Sequence, residues 1–192
     1  MVAACRVEFC ALGLAAFLSL AAATFTWAQV GPSIEYQVKG AFLLNFAKFV
    51  DWPADAFLND KSSINFCVFK YDPFGNTLDE ILHGKTINNR ELIARRIKEL
   101  PDLRACHIVF VSGREDKRLS EVLNSLKGTS ALVVGEGDDF ADRGGGIQFF
   151  LETNKLRFAV NVDAVQRARL NVSSKLLTMA KIIHDPEHSK GN

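Results

Sequence analysis

The chain has 192 residues, 48% of them apolar and 23% charged, with 23 Lys+Arg against 22 Asp+Glu and a formal net charge of +1. That balance excludes disordered and collagen-like classes, which need low hydrophobicity or a strict glycine period. A charge so near neutral also excludes any strong global attraction to nucleic acid or to an acidic membrane surface, and the length suits one globular domain.

Residues 1–28 read as a secretory signal peptide. Arg6 precedes an uncharged run over 9–28 that ends Thr26-Trp27-Ala28, a small-x-Ala ending. Cleavage is expected after Ala28, with Ala23 as the alternative. The competing reading is a retained anchor, because such a run just spans about 30 Å of hydrocarbon. The expected organisation is a single domain over 29–183 and a flexible polar tail over 184–192. The expected location is the periplasm, with no membrane insertion after cleavage. Cys5 and Cys10 leave with the signal, so Cys67 and Cys106 remain. An even pair in an oxidising compartment is a disulfide candidate.

A helix is expected over 33–52, with Ser33 as cap and Pro53 as stop. One side carries Ile34, Val38, Phe42 and Phe49, and the other carries Tyr36, Leu43, Ala47 and Val50. An apolar content beyond one stripe implies packing on two sides. The assignment placing Phe42 on the sheet leaves Tyr36, Lys39, Leu43, Ala47, Val50 and Trp52 as the candidate interaction surface. The opposite assignment stays open.

Ile64–Phe69 is rich in β-branched and aromatic residues and reads as a strand. The turn Asp72-Pro73-Phe74-Gly75 leads to a short helix at Thr77–Leu82. Residues 86–97 are β-like around a turn at Asn88-Asn89, and 106–111 form a compact buried strand. An amphipathic helix follows over 114–126, then a strand over 131–134. Beyond a Gly/Asp-rich loop, 147–150 and 156–160 form a hairpin around Glu152-Thr153-Asn154-Lys155. A helical segment is expected to start near Val162, to resume over 170–183 and to end by Ile183. The pattern predicts an α/β fold: a three-layer sandwich with a mixed, partly parallel central sheet and helices on both faces.

The usual chemical motifs fail on spacing. Gly84-Lys85-Thr86 lacks the leading glycine of a phosphate loop, where Asp79 stands. Gly144-Gly145-Gly146 precedes a strand, so it puts no helix N-terminus on a pyrophosphate. Ser112 lacks a nucleophile elbow. Asp138, Asp139 and Asp142 match no calcium loop, and a helix cap by Asp139 is the expected use. His107 reads as a buried neutral histidine in a strand, and His184 and His188 belong to the tail. Cys67, Cys106 and His107 lack a fourth ligand for zinc. The stretch Arg90, Arg95, Arg96, Lys98 and Arg104 is diluted by acids and reads as a solvated surface. No cofactor, metal or catalytic residue is expected, so binding or regulation is favoured over catalysis.

Seven ordered stretches carry a family resemblance. They are Tyr36-x-Val-Lys-Gly-Ala-Phe-Leu-Leu-Asn-Phe-Ala-Lys-Phe-Val-x-Trp-Pro53, Asp72-Pro-Phe-Gly75, Gly84-Lys running to Arg95-Arg96-Ile97, and Cys106-His-Ile-Val-Phe-Val-Ser112. Phe140-Ala-x-x-Gly-Gly with Ile147 and Arg157-Phe-x-x-Asn161 precede the last, Ser173-Ser-Lys-Leu-Leu-x-x-Ala180. Together they resemble the YfiR family of bacterial periplasmic proteins across the whole exported part. The resemblance implies a non-enzymatic repressor that binds the periplasmic part of an inner-membrane diguanylate cyclase and lowers cyclic-di-GMP and biofilm formation. It implies a homodimer, and a disulfide between Cys67 and Cys106. A second cysteine pair found in some members is absent, because 135–160 hold no cysteine. The alternatives are a sensor domain for a small ligand or envelope component, and an uncharacterised periplasmic enzyme.

Overall fold

The computed structural model describes residues 34–185, so the expected signal segment, its cleavage site, the Ser33 cap and residues 186–192 lie outside the described part. In chain order the elements are α1 (Ile34–Phe49), β1 (Val50–Asp51), a 3-10 turn (Ala54–Ala56), β2 (Ile64–Phe69), α2 (Thr77–Leu82), β3 (Thr86–Ile87) and β4 (Arg90–Ile97). A 3-10 turn (Leu100–Ala105) leads to β5 (Ile108–Val111), and another (Gly113–Arg118) runs into α3 (Leu119–Ser125). Then come β6 (Leu132–Gly135), β7 (Ile147–Glu152), β8 (Lys155–Asn161), α4 (Val162–Arg167), β9 (Asn171–Val172), α5 (Ser174–Leu177) and β10 (Lys181–Ile183).

Eight strands make one mixed sheet in the order β10-β8-β7-β6-β5-β2-β4-β3. Strands β4, β2, β5, β6 and β7 run parallel to one another, while β3 and β8 are antiparallel to β4 and β7. Both hairpin turns use consecutive left-handed residues, Asn88 and Asn89 at φ 50° and 60°, Thr153 and Asn154 at φ 50° and 59°. Positive φ at both central positions matches the right-handed twist of the flanking strands. Period-two alternation makes two cores. Ile64, Phe66 and Val68 of β2 join Leu43, Phe46, Phe74 and Leu78 on one face. Cys67 and Phe69 join Leu103, Leu119, Val122 and Phe140 on the other. The sheet is therefore the middle of three layers, the expected class.

Four expectations are corrected. The C-terminal segment is helical in two short pieces only and ends as a strand. Asn161 caps α4 by accepting the Ala164 N–H at 2.9 Å, Ser173 caps α5, and Lys181–Ile183 pairs with β8 as an edge strand. The β-branched pair Ile182-Ile183 favours the ladder over a further turn of helix. The 114–126 helix is α only from Leu119, after a 3-10 start. Asp139 caps no helix; it stands at φ 53° in a turn, a conformation that Asp tolerates. Asp185, expected in the flexible tail, is tied to the fold: it bonds Asn161 and Arg167 and donates its N–H to Asp163.

The segment 140–146 is shaped by packing. The Phe140 ring is fully buried, and a Cβ at Gly135 or Gly145 would lie 2.1 Å from it. Only glycine at both positions lets the ring enter between the β6 end and the loop.

Candidate partner-binding face

Helix α1 buries a definite side, and it is the side expected to face outward. Leu43 and Ala47 are each 1% exposed, and Lys39 and Val50 are buried with them. Ile34 and Val38 are 78% and 40% exposed, with Ala41 and Asn45 exposed further along. The helix is apolar all round, so hydrophobic content does not set its phase. Close approach sets it instead: a Cβ at Gly40 would lie 2.7 Å from Ile81 Cδ1 of α2, and glycine there turns the Gly40–Leu44 side inward. Phe42 straddles the boundary, half-buried and touching the rings of Phe46, Phe149 and Phe158. Val50 leaves the helix to start β1, which pairs with β9.

The remaining members of the expected surface act within the molecule. The Lys39 ammonium is buried between Glu35, at 2.5 Å, and Glu136 beyond the end of β6. Tyr36 donates its hydroxyl to Glu136 Oε1 at 2.9 Å, and the Gly113 N–H donates to the same oxygen at 2.9 Å. Burial, with the acceptor Glu136, holds the Tyr36 phenol far above its ordinary range, so it stays a donor. The network staples the first turns of α1 to the carboxyl ends of β5 and β6. Glu136 is a site residue that sequence reasoning missed, because an acid 97 residues from its lysine leaves no local signal.

Trp52 belongs to a second cluster, at the opposite ends of these strands. Its ring meets His107 edge-on at 6.3 Å, and Phe57 stacks on His107 at 4.6 Å with the Arg90 guanidinium 3.8 Å from the Phe57 centroid. His107 Nδ1 accepts the Asn65 N–H at 3.1 Å, which makes Nε2 the donor to Ala56 O at 3.2 Å. Burial, and then Arg90, hold its pKa below the ordinary value. The histidine is buried and neutral as expected, although it precedes β5. Among the described residues no group of His, Cys, Asp and Glu has a metal-binding arrangement.

Cys67 and Cys106 form a disulfide with Cα atoms 5.9 Å apart. Cys67 lies on β2, where its neighbour across the ladder is Val109. Cys106 is not a strand residue. It follows the 3-10 turn Leu100–Ala105, whose exit carries its side chain back over β2. Of the basic stretch, Arg96 is a structural clasp: it bonds Asp72 at 2.8 Å, Asp79, and the Gly75 carbonyl. Two of the stretches that carry the family resemblance thereby meet in space.

What stays outward on α1 is an apolar strip, and a separate side of the helix borders a cleft. The strip runs Ile34, Val38, Ala41 along α1. The cleft, of about 490 Å³, lies between the start of α1 and the β7–β8 hairpin and is lined by Tyr36, Lys39, Phe150, Leu151 and Leu156 among others. Leu151 on the hairpin is 62% exposed. The model of the YfiR/HmsC-like family matches residues 36–181. The chain belongs to the YfiR/HmsC-like family. No curated protein gives a significant match. Among solved structures, a conserved domain protein from Vibrio cholerae O1 biovar eltor str. N16961 is similar in fold, with 8% identity and a TM-score of 0.50. The likeness covers 77% of this chain and 59% of that one. At that identity the likeness concerns the fold alone. Members of the YfiR/HmsC-like family are periplasmic regulators rather than enzymes, and the family implies interaction with a membrane diguanylate cyclase. Among the described residues no helix is long and apolar enough to cross a membrane.

Proposed function

We propose that this chain is exported to the periplasm, where it binds the periplasmic part of an inner-membrane diguanylate cyclase and represses it without catalysing a reaction itself. The docking surface is the outward strip of α1 together with Leu151 of the hairpin. The observation that carries this reading is the exposure of Ile34 and Val38 along one side of α1 and of Leu151 on the β7–β8 hairpin, on a chain whose family is regulatory. Exposed apolar groups that line one helix side mark interaction sites more often than scattered ones do.

The titrating groups of the cleft support regulation over catalysis. Lys39 is committed to Glu35 and Glu136, and Tyr36 to Glu136, so their protons already have structural uses. A homodimer, which the family resemblance implies, is part of the proposal. Deleting the gene should raise cellular cyclic-di-GMP, and re-expressing the wild-type chain should lower it again. Unchanged cyclic-di-GMP in the deletion strain would contradict repression, and sedimentation of the purified protein checks the dimer.

A further inference from the structure

Helix α3 covers the sheet face opposite α1, and the partner-binding face uses neither α3 nor the glycine-rich segment that follows β6. Between α3 and α4 lies a groove of about 580 Å³. Leu123 of α3 and Leu126 just after it form one wall, Val165 and Ala168 the other, and Leu132 and Val133 of β6 contribute to the lining. Small-molecule sites occupy about 300–1,000 Å³ and are lined mostly by apolar side chains, with a few placed polar groups. This groove meets both conditions.

Its charged lining groups are all cations, two of them balanced by carboxylates outside the lining. Lys127, Arg143 and Arg167 contribute to the lining, and among the described residues none of the lining groups is acidic. The two arginines are positioned from behind. Arg143 donates to Asp116 Oδ2 at 2.6 Å and to the Asp116 carbonyl at 2.9 Å, and Arg167 pairs with Asp185. Lys127 Nζ makes no ion pair among the described residues. The neutral polar groups of Ser120, Asn124 and Thr129 complete the lining.

We propose that this groove binds a small amphipathic carboxylate. The hydrocarbon or ring portion lies against Leu123, Val133 and Val165, and the carboxylate meets Lys127 and the two arginines. Apolar burial supplies the affinity and the cations select the sign of the head group. The proposal is independent of the cyclase reading, because no residue lining the groove belongs to α1 or to the β7–β8 hairpin.

The probe is decanoate, below its micelle-forming concentration, titrated calorimetrically into the exported chain (residues 29–192). Decyltrimethylammonium serves as the cationic counterpart of equal chain length. Saturable one-to-one binding of decanoate is expected, with about tenfold weaker binding of the cation. Ala168→Phe fills the groove and should abolish binding. Lys127→Glu, at an exposed position, should weaken it about fivefold and leave the melting temperature unchanged, so the test stands even if Ala168→Phe fails to fold. Absence of saturable binding, equal affinity for the cation, or binding unaffected by Lys127→Glu would overturn the proposal. Binding that emerges only in a chain ending at Asp185 would also overturn it, because residues 186–192 would then be the occupant.

Discussion

Lys39 shows how much of the molecule can depend on one buried charge. Its ammonium is answered by Glu35 and Glu136, and Glu136 in turn by Tyr36 and Gly113. Lys39→Met leaves Glu136 largely buried without its cation, and the expected cost is about 3 kcal/mol in urea unfolding. Adding Glu136→Gln should recover part of that loss, because the stranded carboxylate is gone. His107 gives a second prediction at this scale. Its folded pKa lies below its ordinary value of 6.5, so below that pH the unfolded state binds the proton that the folded state refuses. Its stabilising contribution is complete above about pH 6.5 and is lost progressively as pH falls from there towards the depressed folded value. His107→Gln should therefore show a flatter decline of melting temperature between pH 7 and pH 5 than the wild type. Parallel declines would remove the histidine from the acid response.

Among the elements, α1 separates packing from association most clearly. Leu43→Asp places an unpaired carboxylate in the core beside Phe46 and should leave no stably folded protein, as judged by circular dichroism. Val38→Asp, on the exposed side, should fold and melt like the wild type. If both variants fold equally well, the helix phase described above is wrong. Much of the architecture was readable from local chemistry. The period-two run of β2, the Asn88-Asn89 and Thr153-Asn154 turns and the α2 segment all carry their signal within a few residues. The phase of α1 was not readable, because both of its sides are apolar and Gly40 matters only once Ile81 lies against it. The broken C-terminal segment was misread for a related reason. Leu176-Leu177 fits a helix, but Ile182-Ile183 finds better partners in β8, a contact made across the fold. Glu136 was invisible as a partner for Lys39 on the same grounds, and the candidate site shifted to the other side of α1 as a result.

At the scale of the whole molecule, two apolar layers sandwich a sheet, and one disulfide fastens the end of the 3-10 turn Leu100–Ala105 to β2 within the layer that holds α3. The Cys67–Cys106 bond spans 39 residues in sequence. Closing a loop of that length is worth about 4 kcal/mol on chain-entropy grounds. The double substitution Cys67→Ala and Cys106→Ala should lower the unfolding free energy by about that amount while keeping the fold, as followed by urea denaturation. The more consequential division is between the face that carries α1 and the β7–β8 hairpin and the rest of the surface. The outward strip of α1 is where the chain is proposed to meet its cyclase. Calorimetric titration of the cyclase's periplasmic part with wild-type and Val38→Asp protein tests it most directly. The account predicts saturable binding by the wild type and its loss in Val38→Asp at an unchanged melting temperature. Undiminished binding by a fully folded Val38→Asp protein would contradict it and move the docking surface elsewhere on the fold.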